Sequence, residues 1–527
     1  MKMTLTATST TGLEALYLAA VDSNISFVSA VAGYPITAVM DRFLENITNA
    51  NVGASTDASI RADRGFDAKW MTNEKVALES ALGASVSGRR ALVLTKHVGM
   101  NILSDPLVTS VTHTIGAGLV IFAGDDPGVA ASQNEQDSRW YGEIAEVAVF
   151  DPSTPQDAYS AVVRAFELSE QVSAPVIVRI THRLEICEGL LERVKKVKND
   201  QHVTKVVFDR SIWAITMRGK HEKLHLESYP KLMEESEHTF LNKLTMQSGD
   251  VGIISSGYPS ALVAEVLDTD TDRIGISHLE LGMVNPIPFN TVREFVKAHK
   301  RVLIVEETEP FIESHLCILD NVLGKKTGHL PYGQVDVEHI EYALDHINND
   351  TIVKYTDIQT IVSRGSRGAR SICDDCPYMP LYHILHDLDV MVAGDLGCSV
   401  RSAPAPLEAV DTGFALGSSI AVACGFEKKG IAVIGDFGLA HSGIIGLINA
   451  VHCGFDVVVI VLQNKVAAMT GGQDVPDLTD VVRAGVADVT SFDIDEGVIG
   501  TLLELINEKL GKRGVSVIFV KGKCRKY

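Results

Sequence analysis

The chain has 527 residues, 46% of them hydrophobic and 22% charged, and a net charge of −20. That length supports about three domains with ample core, and no apolar run reaches the length of a membrane span. The negative balance argues against nucleic acid as the main ligand, because phosphate backbones demand basic surface. The opening stretch MKMTLTATSTTGLEALYLAA carries an acidic residue inside its one apolar run, which argues against a secretory signal and makes the cytoplasm the expected compartment. There disulfides are not expected among the eight cysteines.

Residues 1–185 alternate helical patterns with short buried strands at Ser26–Ala32, Ala91–Thr95, Leu119–Ala123 and Val176–Ile180. This is an α/β pattern with a mostly parallel sheet. Ligands of such sheets bind outside the carboxyl ends of the strands. The loops Tyr34-Pro35-Ile36-Thr37, Thr95-Lys96-His97-Val98-Gly99 and Gly124-Asp125-Asp126-Pro127-Gly128 are therefore the site candidates. Residues 186–249 are charge-dense with leucines at helical spacing, a linker carrying a surface helix. A smaller α/β unit spans 250–345, with DVGIISSG and RVLIVEET as strands. Glu306, Glu307 and Glu309 at the end of the second are expected as an exposed acidic loop, with an interface role as the alternative. Residues 346–372 form a connection ending in SRGSRGAR, whose Arg364, Arg367 and Arg370 fit a phosphate contact or a plain loop.

The third α/β domain, 373–527, holds the stretch IAVIGDFGLAHSGIIGLINAVHCGFDVVVIVLQNKVAAMTGGQ. It reads as strand, turn, helix, strand, turn, with Ile445, Leu447, Ile448 and Val451 on the helix's apolar positions. Consecutive parallel strands are normally neighbours, so Asp436 and Asn464 are expected side by side at the strand ends. A hard cation such as Mg²⁺ takes oxygen ligands and leaves coordination free for phosphates. The Asp436 carboxylate, the Asn464 amide oxygen and the Val466 carbonyl meet that requirement, although Gly-Asp alone also fits an ordinary polar rim. Among the cysteines, Cys187, Cys317, Cys424 and Cys453 stand singly in apolar or helical surroundings and are expected in the core. Cys373-x-x-Cys376, Cys398 in GDLGCS and Cys524 in KGKC form a different set.

Gly-Asp followed 28 positions later by an Asn resembles the thiamine-diphosphate enzymes, with Phe437 and Gln463 departing from their usual Gly-Asp-Gly and Asn-Asn. The segments NEKVALESALGASVSGRRALVLTKHVGMN and GDDPGVAASQNEQDSRWYGEIA, together with residues 431–473, resemble the large (α) subunit of indolepyruvate:ferredoxin oxidoreductases. The resemblance runs from about Thr11 to Cys524. It implies two thiamine-diphosphate-binding-type doubly wound domains with a smaller α/β domain between them. Gly435, Asp436, Phe437, Asn464, Val466, Met469 and Thr470 are then cofactor-facing. Glu74 matches the acid that activates the cofactor's aminopyrimidine, and Thr37 matches a substrate-contacting threonine. Lys96 and His97, where pyruvate-specific relatives carry small residues, become candidates for receiving the substrate carboxylate or moving protons.

In this family Cys373, Cys376, Cys398 and Cys524 correspond to the ligands of a [4Fe–4S] cluster. Four thiolates fit structural zinc as well, and a CxxC alone fits a redox pair or no function. The family's Cys-Pro-Gly-Cys-Pro-His is here Cys-Asp-Asp-Cys-Pro-Tyr. Large subunits usually continue into a ferredoxin-like segment, whereas this sequence stops three residues past Cys524. The resemblance thus implies oxidative decarboxylation of aryl or other bulky 2-oxoacids to acyl-coenzyme A and CO₂. It also implies a smaller β subunit, hence a hetero-oligomer, and a separate ferredoxin-type carrier. A non-oxidative thiamine decarboxylase or lyase, and a non-catalytic scaffold that keeps the fold, stay open as alternatives. Retention of Glu74 with the Asp436/Asn464 pair argues against the scaffold.

Overall fold

The computed structural model describes residues 7–51, 65–132, 134–193, 208–269, 273–352 and 372–527. The basic stretch with Arg364, Arg367 and Arg370, and most of LERVKKVKND, lie outside these residues. The chain forms two compact units, Met1–Arg364 and Gly365–Tyr527. Among the described residues no helix is long and apolar enough to cross a membrane.

The first unit contains a seven-stranded sheet in the order Met283–Asn285, Val149–Phe150, Val176–Thr181, Leu119–Asp125, Ala91–Lys96, Phe27–Ala30, Asp67–Trp70. Every neighbour pair is parallel except the first. Its central strands are buried throughout, as Leu119–Asp125 shows. Such continuous apolar runs are what a parallel sheet covered on both faces requires. A second, five-stranded sheet is ordered Val322–Leu323, Arg301–Val305, Val251–Ser256, Ser277–Leu281, Lys243–Thr245. The chain passes from Ser277–Leu281 to the first sheet's edge strand across Gly282. A Cβ at Gly282 would lie 2.5 Å from the Leu241 carbonyl oxygen, so the close approach there requires glycine.

A buried ion network joins these layers. Arg139 is fully buried and donates to Asp137 at 2.5 and 2.9 Å, to Glu306 Oε2 at 2.7 Å and to the Glu307 carbonyl at 2.8 Å. Glu306 also accepts the amides of Ile312 and Glu313, both at 3.0 Å. Arg179 pairs with Asp125 at 2.6 Å and Asp151 at 3.3 Å, and Arg183 pairs with Glu307. The exposed acidic loop expected at Glu306, Glu307 and Glu309 is therefore not what forms. Glu306 and Glu307 are buried and Glu309 half-buried, because Arg139 and Arg183 pair with the first two carboxylates and Arg139 also donates to the Glu309 carbonyl at 2.9 Å.

The second unit is a five-stranded parallel sheet ordered Val392–Ala393, Gly430–Gly435, Val457–Gln463, Val515–Lys521, Asp488–Asp493, with an apolar core on each face. The helix Ile444–His452 departs from the expected facing. Leu447 and Ala450 are buried, whereas Ile445 and Ile448 are 68% and 62% exposed and Val451 is exposed too. A π-helical turn at Leu439–Gly443 precedes it; the wider turn rotates the downstream face away from a regular helical register. The single cysteines also depart from expectation. Cys317 and Cys453 are exposed, and Cys187 and Cys424 are only partly buried.

Replacing Arg139 by Ala leaves Asp137 and Glu306 buried without their cation, which costs about 3–5 kcal/mol. The expected outcome is a clear drop in the urea midpoint of the first unit's transition; an unchanged midpoint would contradict the network's structural role.

Candidate cofactor and substrate site

In the first unit, the three candidate loops meet at one edge because their strands are adjacent and parallel: Lys96 stands beside Gly124, and Gly124 beside Ile180. Glu74 opens the helix Glu74–Val86, whose N-cap Asn73 accepts the Lys75 amide at 2.9 Å. A carboxylate is favoured at such a position by the helix dipole. Glu74 is buried and packs on Gly99, where a Cβ would fall 2.6 Å from Glu74 Oε1. Gly99 is thus the space that the Glu74 carboxyl occupies.

Thr37 closes the Tyr34–Thr37 turn. Its hydroxyl donates to the Gly33 carbonyl and accepts the Gly33 amide, both at 3.0 Å. With its proton so committed, Thr37 fixes the loop. Gly33 in turn lies against the Lys96 stem, 3.0 Å from its Cβ by the same construction. Burial pushes the Lys96 ammonium down to about 8, and the Asp126 carboxylate offsets part of that fall. Lys96 therefore remains cationic near neutrality and is suited to a carboxylate. His97 is fully buried, and neither ring nitrogen has a hydrogen bond of good geometry. Burial holds it below the usual imidazole range, opposed by the Asp125 charge, reinforced by Lys96 and opposed again by the nearby Gly124 backbone and Asn134 side chain. The ring is thus held neutral beside Lys96.

In the second unit, Gly435 pairs with Leu462, which sets Asp436 next to the turn that follows Gln463. Asp436 Oδ2 accepts the amides of Asn464 at 3.0 Å and Lys465 at 2.6 Å, and Oδ1 accepts the Phe437 amide at 2.9 Å. Burial nonetheless raises this carboxyl to about 6. Asn464 Oδ1 accepts the Val466 amide at 3.0 Å, and Lys465 adopts a positive φ of 63°, which turns the chain sharply at the strand end. Val466–Ala467 then pairs antiparallel with Gln473–Asp474. Thr470 Oγ1 bridges the Ala467 carbonyl at 3.2 Å and Gln473 at 2.9 Å, and Met469 is exposed.

The four cysteines share one neighbourhood. Burial raises the Cys376 thiol to about 11; the Tyr378 amide opposes the rise, and the nearby Cys398, Cys373 and Cys524 add to it. The Cys376 amide donates to the Cys373 carbonyl at 3.0 Å. Tyr378, in place of the family's His, is buried and donates to the Gly522 carbonyl at 3.2 Å. Its phenol is pushed up by burial, then by the charges of Asp436, Cys376, Asp495 and Cys524. Among the described residues, no three His, Cys, Asp or Glu side chains stand in the arrangement of a preformed metal site.

Sequence reasoning passed over two residues. Gly99 is one. Asp395 is the other: it is buried, accepts the Gly417 amide at 2.6 Å, and packs so closely on Gly438 that no Cβ fits. Burial raises it to about 7. Its signal was present, since Asp395-Leu396-Gly397 repeats the Asp436-Phe437-Gly438 pattern at a neighbouring strand end.

Gly99→Ala is expected to displace the Glu74 carboxyl while leaving the sheet intact, lowering turnover at least about tenfold with a cost in stability of about 1–3 kcal/mol from overpacking. Steady-state rates beside thermal melts check this, and full activity would show that Glu74 needs no such seat.

Residues 24–211 match the thiamine-diphosphate-binding family model of pyruvate flavodoxin/ferredoxin oxidoreductases, and residues 395–496 match the C-terminal TPP-binding domain of thiamine pyrophosphate enzymes. The chain is 31% identical to indolepyruvate oxidoreductase subunit IorA of Methanothermobacter thermautotrophicus, over 89% of this chain and 76% of that one. It is 29% identical to IorA of Archaeoglobus fulgidus, over 97% of this chain and 86% of the relative. A solved 2-oxoglutarate:ferredoxin oxidoreductase from Magnetococcus marinus, with 2-oxoglutarate, coenzyme A and succinyl-CoA bound, shares the fold at a TM-score of 0.51 and 16% identity, covering 65% of each chain. The α/β architecture is that of thiamine-diphosphate-binding domains, and the IorA relatives together with the two family models support thiamine-dependent 2-oxoacid oxidoreduction. The chain belongs to the family of indolepyruvate oxidoreductase IorA subunits.

Proposed function

We propose that this chain is the catalytic subunit of an enzyme that oxidatively decarboxylates aryl or other bulky 2-oxoacids in the cytoplasm, with a smaller β subunit as partner. The bond between the keto carbon and the carboxylate breaks and releases CO₂. The acyl group passes to the sulfur of coenzyme A, whose thiol proton is lost. Each 2-oxoacid thereby yields one acyl thioester, one CO₂, one proton and two electrons. The electrons leave singly to a ferredoxin-type carrier.

The observation that carries the reading is the Asp436 carboxylate bound to the amides of Asn464 and Lys465 at adjacent strand ends. Oδ1 accepts the Phe437 amide, which leaves a lone pair for a cation. With its ordinary value raised to about 6, Asp436 is still mostly ionised at neutral pH, and a cation would relieve the burial. Asp436, the Asn464 amide oxygen and the Val466 carbonyl suit Mg²⁺, with the diphosphate completing its oxygen shell. Thiamine diphosphate, when bound, supplies the electron sink for decarboxylation. The chain's own tasks are then narrow. Glu74 holds a proton at the aminopyrimidine, Lys96 binds the substrate carboxylate, and Thr37 keeps the Gly33–Thr37 turn fixed. His97 excludes water behind Lys96. Gly435, Phe437, Met469 and Thr470 shape the diphosphate turn. Cys373, Cys376, Cys398 and Cys524 supply the all-thiolate donor set of a [4Fe–4S] cluster, which one-electron acceptors call for.

Anaerobically purified protein, assayed with its β subunit and an aryl 2-oxoacid, is expected to contain about four iron and four acid-labile sulfide per chain. Its visible absorption should bleach on substrate, and acyl-coenzyme A should form with acceptor reduction. Aldehyde and CO₂ released without acceptor, from protein free of iron, would instead establish a non-oxidative decarboxylase.

A further inference from the structure

We infer that His221 and His225, on the surface helix of the charge-dense segment, form a two-imidazole site for a divalent transition-metal ion such as Zn²⁺. His221 lies in the helix Met217–Lys223, and His225 in the π-helical turn Leu224–Ser228 that continues it. Side chains four positions apart share a helical face, and here they meet. The two Nε2 atoms stand 3.2 Å apart, with ring centroids at 4.4 Å and ring planes at 64°. Two zinc–nitrogen bonds of about 2.0–2.1 Å at the tetrahedral angle set their nitrogens about 3.3 Å apart. One ion therefore seats between these rings with little movement of either.

Two further contacts separate this pair from chance neighbours. The helix is held from its inner side, where Lys220, Leu224 and Ser228 are buried. Lys220 Nζ meets His113 Nδ1 at 2.7 Å, and Ser228 Oγ donates to the Val172 carbonyl at 3.0 Å. The backbone that carries both imidazoles is thus fixed before an ion arrives, which lowers the ordering cost of binding. The Glu146 carboxylate faces the other nitrogen of His225, 3.6 Å from Nδ1. Its charge favours the proton on Nδ1 and leaves the Nε2 lone pair directed at His221, as a carboxylate behind a ligating histidine does.

The donors select the ion. Imidazole nitrogen suits Zn²⁺, Ni²⁺ and Cu²⁺, whereas Mg²⁺ takes oxygen. The acids beside the pair on the same helix are engaged, Glu222 with Arg218 at 2.9 Å and Glu227 with Lys223 at 3.3 Å, so water completes the coordination. Without an ion, one Nε2 carries a proton and donates it to the other. With one, the His221 proton moves to its own Nδ1 and both Nε2 lone pairs go to the metal. The ion then ties the regular helix to the π-helical turn and stiffens the segment.

The test uses the full chain, purified without oxygen so that wild type and variants keep the same thiols, with Zn²⁺ as the probe. Equilibrium dialysis in excess Mg²⁺ is expected to leave about one zinc per chain more on wild type than on His221→Ala or His225→Ala. Glu146→Gln should hold that ion about tenfold more weakly. The double variant His225→Ala/Leu226→His keeps the number of histidines but moves one off the shared face, and should lose the ion as well. Zinc should also slow hydrogen exchange of the amides of residues 217–228 in wild type and leave it unchanged in His221→Ala. Equal zinc on wild type and both alanine variants means adventitious binding only and overturns the inference. So does an ion kept by the double variant, or one displaced by Mg²⁺. If the alanine variants do not fold, the Glu146→Gln affinity and the wild-type exchange response decide the matter: no weakening in the first and no slowing in the second contradict the site.

Discussion

A single buried carboxylate organises the second unit's functional edge. Asp436 reaches from the end of one strand to collect two backbone amides from the turn after the next, and that bond fixes where the Asn464–Thr470 loop begins. Three amides stabilise the charge, yet burial still lifts the group to about 6. Burial outweighs three hydrogen bonds at this carboxylate, and the proposed Mg²⁺ would offset the desolvation that amide dipoles cannot. Asp395 repeats the arrangement one strand away, beneath Gly438, and supports the turn from behind. The positive φ at Lys465 and the small hairpin to Asp474 follow from the same need to turn the chain sharply around the Asp436 oxygens.

The first unit solves a different problem, that of bringing many charges to one strand edge without exposing them. Arg139 lies between the nearby Asp137 and the distant Glu306, and Arg179 between Asp125 and Asp151, and all are buried. Breaking such a network leaves naked charge inside the protein, which is why it holds its geometry. The loops that carry Glu74, Thr37, Lys96 and His97 are mounted on this rim, and their mutual packing through Gly33 and Gly99 leaves little slack. Of the four, Lys96 keeps a charge near neutrality, whereas His97 is fully buried.

Much of this was legible from the residues. Parallel strands announce themselves as short apolar runs ending in Gly, Asp or Lys, so the sheets' central strands and the Asp436–Asn464 neighbourhood could be read directly. Glu306 and Glu307 could not, because a carboxylate's burial depends on arginines more than 100 residues away in sequence. The apolar pattern Ile445, Leu447, Ile448, Val451 misled for a local reason, the π turn that rotates the helix away from its regular register. Thr37 and His97 illustrate a further limit: the motif locates them at the right edge, while hydrogen bonding and burial decide what each has left to offer a ligand. The proximity of the four cysteines followed from resemblance, since spacing in the chain says nothing about which strand ends they share.

Calorimetric titration of the protein with thiamine diphosphate, with and without Mg²⁺, tests the central claim most directly. The account requires that wild-type binding depend on Mg²⁺, that Asp436→Ala lose it without loss of fold, and that affinity weaken below about pH 6. The sign follows from the raised value of Asp436: protonation removes the charge that a cation needs, so affinity is retained above that pH and falls about tenfold per unit beneath it. Equal affinity in the presence of a chelator, or undiminished binding by Asp436→Ala, would contradict the assignment of this strand end to the metal and the diphosphate.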